Sequence, residues 1–151
     1  MQLFANILCP ISFDENSLAA LELARDLATA NGASLYLLHV ARIPIADMDS
    51  PVPIPKNPWW EQQARARLER LAHDTLAEKI PYKVQVVSGI AETEVLDTAR
   101  ALRVDLIVMA THGRTGLKHL ILGSVAEAVL REAPCPVLML REHSGQRPDA
   151  A

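Results

Sequence analysis

Short aliphatic runs alternate along the chain with segments in which apolar residues recur every three or four positions. An apolar run bounded by turn residues is typical of a buried strand, and the three-four spacing is typical of an amphipathic helix. Five strands are therefore predicted, at 3–11, 34–41, 83–87, 105–110 and 136–140. Four helices are predicted between them, at 15–31, 59–79, 90–102 and 124–132.

The strict alternation of strands and helices predicts an α/β fold. A strand, a helix and a second strand in series normally form a right-handed crossover between parallel strands. We therefore expect a single-domain open parallel five-stranded sheet, with four helices on both faces. Such sheets bind ligands outside the carboxyl ends of their strands, where the strand order reverses. The ends of the first, second and fourth strands are the segments to inspect.

Composition and charge exclude several classes of function. The chain has 151 residues, half of them apolar, and a net charge of −3. A protein that binds nucleic acid normally carries a basic face, which this charge does not favour. No apolar run approaches the ~18 residues of a membrane span. Two cysteines without a CxxC motif fit the reducing cytoplasm. We expect one domain over residues 1–141 and a disordered polar tail over residues 142–151.

The segment from residue 109 to residue 127 carries most of the candidate chemistry. It follows a predicted strand and opens a predicted helix, and its loop contains Gly113 and Arg114. Gly123 precedes the helix, and Ser124 stands three residues before a glutamate, the spacing of a capping box with Ser124 as N-cap. A helix N-terminus with free N–H groups binds anions. The pattern favours a phosphate-binding loop, and the alternative is a well-capped connection that binds nothing.

Together with its flanking strands, this segment resembles the universal stress protein family, over Leu3 to Leu140. The resemblance is carried by Asn6-Ile7-Leu8-Cys9-Pro10, Leu37-Leu38-His39-Val40, Asp105 to Met109 with Thr111-His112-Gly113, and Pro134 to Leu138. In the family's nucleotide-binding branch the signature is G-x-x-G, nine residues, then G-[ST]. It falls here on Ala110, Gly113, Gly123 and Ser124.

The resemblance implies a cytoplasmic homodimer that binds ATP, with Mg arriving with the phosphates, and a sheet order of 3-2-1-4-5. It implies phosphate contacts from Gly113, Gly123, Ser124 and the Val125 amide, beside His112 and Arg114. It implies an adenine wall of Pro10, Val40 and Met109. The last strand, Val137 to Leu140, would pair across the dimer axis. The protein partner of such a stress sensor is not identified by the sequence.

Two positions depart from the family pattern. Ala110 replaces the first signature glycine, and Ser12 stands where the family has an acidic residue, with Asp14 two positions later. A serine still forms hydrogen bonds but lacks the carboxylate. Three functions are therefore weighed: an ATP-binding sensor, a dimeric interaction module that has lost ATP binding, and a slow ATP hydrolase. The third has little support, because only His112 is placed as a candidate base.

Three smaller predictions concern single side chains. Ser12 and Glu15 have the spacing of a capping box for the first helix. His39, inside the second strand, is expected to be a core histidine with a satisfied hydrogen bond. Cys9 and Cys135 are expected to be free, largely buried thiols. The implied order separates their strands by two spacings of ~4.8 Å, which exceeds the ~7 Å Cα limit for a disulfide.

Overall fold

A computed structural model of the protein describes residues 1–43, 51–77, 79–111 and 122–141. The strands are β1 (Asn6–Pro10), β2 (Ser34–Ala41), β3 (Tyr82–Ser88), β4 (Leu106–Ala110) and β5 (Val137–Leu140). The helices are α1 (Glu15–Asn31), α2 (Trp59–Leu76), α3 (Ala91–Ala101) and α4 (Ser124–Glu132). The predicted elements are confirmed in kind and order, and their ends move by only a few residues.

The strands form one parallel sheet in the order β3-β2-β1-β4-β5, as predicted. β1 lies at the centre, where it pairs with β2 on one side and with β4 on the other. From β1 the chain continues outward to β2 and β3 on one side, and β4 and β5 follow on the other side, so the strand order reverses between β1 and β4. The carboxyl ends of β1 and β4 therefore border the crevice at which parallel sheets bind ligands.

The core consists of two layers, one on each face of the sheet. The first face packs against α1 and α2 and includes Leu35 and Leu37 of β2. The second face packs against α3 and α4 and includes Leu38 of β2. Because side chains alternate along a strand, every second residue of β2 belongs to the same layer. Full burial of each such leucine stabilises the fold by about 1.5–3 kcal/mol.

The capping box predicted from Ser12 and Glu15 is wrong. The helix α1 begins at Glu15, so the N-cap is Asp14, and its carboxylate accepts a hydrogen bond from the Ser17 N–H at 2.8 Å. A cap bonds the third helical residue, which is Ser17 rather than Glu15. At the other end, Gly32 adopts the left-handed conformation (φ 63°) and closes the helix.

Both cysteines are free thiols in the structure. Cys9 is buried in β1, and burial raises the pKa of its thiol to about 12. Cys135, expected to be largely buried, has an intermediate exposure. Its pKa is also raised, by burial first and then by the negative charge of Asp105. β4 lies between β1, which contains Cys9, and β5, which follows Cys135, as the predicted strand order requires.

Candidate functional site

The carboxyl edge of the sheet brings together residues from three strands. Pro10 ends β1, Val40 precedes the last residue of β2, and Met109 precedes the last residue of β4. Val40 and Met109 belong to the same apolar cluster on the second face, together with Val125 of α4. Pro10 points to this face as well, because its neighbour Cys9 packs on the first. The three residues predicted to contact adenine thus share one face and one edge.

The turn from β1 to α1 holds a serine and a carboxylate in direct contact. The Ser12 hydroxyl donates to Asp14 Oδ2 at 2.6 Å, while Asp14 Oδ1 accepts from the Ser17 N–H. The Ser12 side chain is solvent exposed. A hydroxyl that donates its proton still has lone pairs that accept hydrogen bonds. A carboxylate therefore lies one hydrogen bond behind the position where the family has an acidic residue.

Phe13, between these two residues, has an unusual backbone conformation. Its φ is 61°, a left-handed value that is rare for a bulky side chain. The Phe13 ring lies 4.6 Å from the His39 ring, and the Arg67 guanidinium lies 4.2 Å from its centre. The strained turn is thus held between β2 and α2. Sequence reasoning missed Phe13 and Arg67, because the contact joins residues far apart in the chain.

His39 ties the end of β2 to the residue that follows β1. Its Nδ1 lies 2.7 Å from the Ile11 carbonyl oxygen, and since a carbonyl only accepts, Nδ1 carries the proton. This bond confirms the prediction of a satisfied histidine, although the ring is only partly buried. Burial lowers the pKa of His39, and the positive charge of Arg67 lowers it further, against the opposing effect of the Ile11 bond. The neutral ring is therefore favoured.

The N-terminus of α4 forms the other side of the crevice. Its N-cap is Gly123 (φ −72°), which makes no side-chain capping bond, so the prediction of Ser124 as N-cap is wrong. Ser124 is the first helical residue and is exposed. The Gly123 N–H donates to the Thr111 carbonyl at 2.9 Å, and a Cβ on Gly123 would lie 3.3 Å from that oxygen. Glycine is favoured here because the Thr111 carbonyl approaches so closely, and sequence reasoning named Thr111 only as part of a motif, without a role of its own.

Among the residues that the structure describes, no side chain caps the first N–H groups of α4. In an α-helix the first four N–H groups lack an intrahelical partner. The Glu127 N–H already donates to Gly123 O at 2.9 Å, which leaves the amides of Ser124, Val125 and Ala126 as donors. These amides and the partial positive charge of the helix end suit a phosphate.

Ala110, the departure from the signature glycine, is the last residue of β4. It pairs with Leu140 of β5 and is half-buried. Its backbone is that of a strand, so the position does not need the conformational freedom of glycine. The methyl group narrows the crevice without straining the chain.

Three predicted site residues, His112, Gly113 and Arg114, lie outside the described residues. The other eight are described and border the carboxyl edge: Pro10, Ser12, Val40, Met109, Ala110, Gly123, Ser124 and Val125. Within the described ranges no group of three metal-ligating side chains comes together. None of the helices in those ranges is long and apolar enough to cross a membrane.

Comparison with known proteins places this geometry in context. A model of the universal stress protein family matches residues 4–141. Universal stress protein A homolog 1 of Coxiella burnetii is 34% identical over 140 residues, which cover 89% of this chain and 94% of that protein. The solved structure of protein MJ0577 of Methanocaldococcus jannaschii has a TM-score of 0.79 at 28% identity, and the match covers 95% of this chain and 99% of that one.

A universal stress protein solved in complex with cAMP has the same fold. Its TM-score is 0.67 at 19% identity, and the match covers 93% of this chain and 99% of that chain. At this identity the likeness concerns the fold alone.

Proposed function

This chain belongs to the universal stress protein family, and we propose that it is a cytoplasmic, homodimeric sensor that binds ATP or a related adenine nucleotide at the carboxyl edge of its sheet. The observation that supports the proposal is that an apolar surface and a helix N-terminus meet at the carboxyl edge of the sheet. Val40 and Met109 belong to one apolar cluster with Val125, which lies in the first turn of α4.

The adenine end is matched by apolar contact and by one polar pair. Pro10, Val40 and Met109 would provide an apolar wall. The Ser12 hydroxyl donates its hydrogen bond to Asp14, so its oxygen lone pairs can accept from the adenine amino group or a ribose hydroxyl. The charge of Asp14 behind it strengthens that acceptor. The Ser12–Asp14 pair thereby replaces the carboxylate that the family has at this position.

The phosphate end is matched by backbone donors. α4 begins at Ser124, directly after its N-cap Gly123, and an anion would be stabilised there by the N–H groups of Ser124 and Val125 and by the helix dipole. His112, Gly113 and Arg114 would add donors from the preceding loop. Mg would arrive with the phosphates, because divalent cations in nucleotide sites are held partly by phosphate oxygens.

The homodimer would form through β5, the edge strand of the sheet. Leu138 of β5 is 38% exposed and Leu130 of the neighbouring α4 is 45% exposed. An aliphatic edge strand with unpaired backbone groups is prone to pair with another chain. Pairing of Val137 to Leu140 with the same strand of a second copy would cover it. Sedimentation of Leu138→Lys beside the parent protein tests this, and a monomeric parent at micromolar concentration would contradict it.

The nucleotide site is tested by calorimetric titration of the purified protein with Mg-ATP. AMP and GTP serve as controls, and cAMP is included because a relative of the same fold was solved with it. We expect saturable binding of an adenine nucleotide and weaker binding of GTP. Binding without turnover supports the sensor.

The other two functions are outcomes of the same titration. No binding to protein that is folded and free of bound nucleotide would favour the interaction module. Hydrolysis above background that disappears in His112→Ala would favour the hydrolase.

A further inference from the structure

The turn from β1 to α1 is strained at one residue and hydrogen-bonded on both sides of it. Phe13 has a φ of 61°, a conformation that costs energy in a residue with a bulky side chain. Before it, the Ser12 N–H donates to the Ser17 hydroxyl at 3.3 Å, and after it the Asp14 carboxylate caps α1. Strain of this kind persists where the surrounding structure imposes it, and such positions concentrate at binding sites. The contacts of the Phe13 ring are therefore candidates for a functional role.

The backbone conformation of Phe13 sets the direction of Ser12. The Phe13 ring packs against the apolar cluster of the first face, whereas the Ser12 side chain is exposed. The φ angle of Phe13 is the rotation about its N–Cα bond, which joins the Ser12 peptide to the residue that carries the ring. If φ relaxed towards an ordinary value, the Ser12 peptide would rotate relative to the ring. The strained value thus keeps the Ser12 hydroxyl in its place beside Asp14.

Two side chains from different elements hold the Phe13 ring. The His39 ring of β2 lies 4.6 Å from it, centre to centre, and the guanidinium carbon of Arg67 in α2 lies 4.2 Å from its centre. A guanidinium within about 6 Å of an aromatic ring is attracted by the negative charge of the ring face. Burial lowers the pKa of His39, so its ring is favoured in the neutral form and Arg67 supplies the cation of this stack.

Arg67 belongs to a helix that is itself fixed to the sheet. The buried Trp60 donates from Nε1 to the Ser88 hydroxyl at 3.0 Å, and that hydroxyl donates to the Glu61 carboxylate at 2.6 Å. The first turn of α2 is thereby attached to the last residue of β3. Arg67 lies about two turns beyond Trp60, on the same side of the helix. The guanidinium is therefore brought to the Phe13 ring by a fixed element.

We propose that Arg67 is a positioning residue of the nucleotide site: by holding the Phe13 ring, it keeps the Ser12 hydroxyl in the direction in which it accepts from an adenine nucleotide. This inference rests on the proposed nucleotide site. Arg67 acts through Phe13 and Ser12 and need not touch the nucleotide. Its effect on affinity therefore cannot exceed the contribution of the Ser12 hydroxyl itself.

The test is calorimetric titration of Mg-ATP into a matched pair of variants. Arg67→Met removes the cation but keeps a long side chain, and it should weaken binding about two- to fivefold, the range of a solvent-exposed cation–π contact. Arg67→Lys keeps a cation for the ring and should retain most of the affinity. Arg70→Met removes another exposed charge of α2 and should leave the affinity unchanged. Because Arg67 is exposed, its variants should fold.

A double-variant cycle distinguishes positioning from a general structural effect. In a Ser12→Ala background the Arg67→Met change should cause no further loss of ATP affinity, whereas an effect that does not pass through Ser12 would add to it. In ¹⁵N spectra of the protein without ligand, Arg67→Met should also shift the Ser12 amide resonance, and Arg70→Met should not.

The inference and the proposed function fail by different results. Absence of ATP binding by the parent protein would overturn the proposed function, and the role of Arg67 with it. ATP binding by the parent that Arg67→Met leaves unchanged would overturn the role of Arg67 alone. An equal loss of affinity in the Ser12→Ala background would do the same.

Discussion

The Nδ1 atom of His39, near the end of β2, lies 2.7 Å from the carbonyl oxygen of Ile11, the residue that follows β1. The Ile11 N–H in turn donates to Leu38 O at 2.8 Å. These two bonds extend the β1–β2 pairing beyond the last residue of β1. The position of Ser12, the residue after Ile11, therefore depends on a histidine that is 28 residues from Ile11 in sequence.

The free energy of unfolding should decrease as the pH is lowered, because of His39. Its pKa is lowered by burial, so the unfolded chain takes up a proton near the ordinary value of about 6.5 while the folded protein does not. Between that value and the lower folded pKa the unfolded state binds more protons, and stability decreases as pH falls. Urea unfolding at a series of pH values between about 8 and about 5 measures this slope.

The matched variant is His39→Gln, which keeps an N–H donor for Ile11 but does not titrate. Its stability should fall less steeply than that of the parent over the same pH interval. A variant as pH-sensitive as the parent would show that other groups cause the slope.

At Phe13 a glycine variant should be more stable than an alanine variant, the reverse of the order usual in a helix. Both Phe13→Ala and Phe13→Gly lose the contacts with His39 and Arg67, but only glycine accepts φ 61° without strain. Phe13→Gly should therefore be more stable than Phe13→Ala, by about 1 kcal/mol. The same pair at Glu22, exposed within α1, should show the usual order, with alanine more stable. Equal orders at both positions, in thermal unfolding, would argue against strain at Phe13.

Restoring an acidic residue at position 12 should not strengthen nucleotide binding. Ser12→Asp would place a second carboxylate beside Asp14, which the serine hydroxyl now approaches to 2.6 Å. Like charges this close disfavour ionisation of both. The free energy of unfolding at neutral pH should fall by about 1 kcal/mol relative to Ser12→Asn, as an estimate for a lost hydrogen bond to a charge. Tighter ATP binding by Ser12→Asp at unchanged stability would refute the Ser12–Asp14 pair.

Variants of Ser124 and Asp14 should distinguish an effect on ATP binding from an effect on the free energy of unfolding. Because α4 has no side-chain cap, Ser124→Ala should change the free energy of unfolding by less than about 0.5 kcal/mol. Asp14→Ala, which removes the cap of α1, should cost about 1 kcal/mol. Ser124→Ala keeps the backbone N–H but removes the exposed hydroxyl beside it, which would also donate to the phosphate, so it should weaken ATP binding about three- to tenfold, the value of one hydrogen bond. A large stability loss in Ser124→Ala would mean that the side chain caps the helix after all.

The order of the strands and helices along the chain could be predicted from local spacing, whereas the order of the strands in the sheet was implied by the family resemblance. The aliphatic run of β4, 106–110, and the three-four spacing of α1 are visible within a short window. The helix caps were misassigned by one or two residues. The sequence spacing allows Ser12 or Asp14 to cap the first helix, and Gly123 or Ser124 to cap the last. Only the backbone conformation identifies Asp14 and Gly123 as the N-caps.

The contacts that position the site were harder to predict. Phe13, His39 and Arg67 come from the β1–α1 turn, β2 and α2, and their stacking depends on the tertiary arrangement of these three segments. The adenine wall of Val40 and Met109 was reached through a family resemblance rather than through spacing.

The central claim is that an adenine nucleotide binds between the β1–α1 turn and the N-terminus of α4. Amide chemical shifts of ¹⁵N-labelled protein, recorded while Mg-ATP is added, test it most directly. The account predicts saturable shifts at Ser12, Val40, Ser124 and Val125, with little change at Lys83 of β3 and Thr98 of α3, which lie outside the proposed site. Shifts confined to Lys83 and Thr98, or no saturable shift at millimolar Mg-ATP, would contradict it.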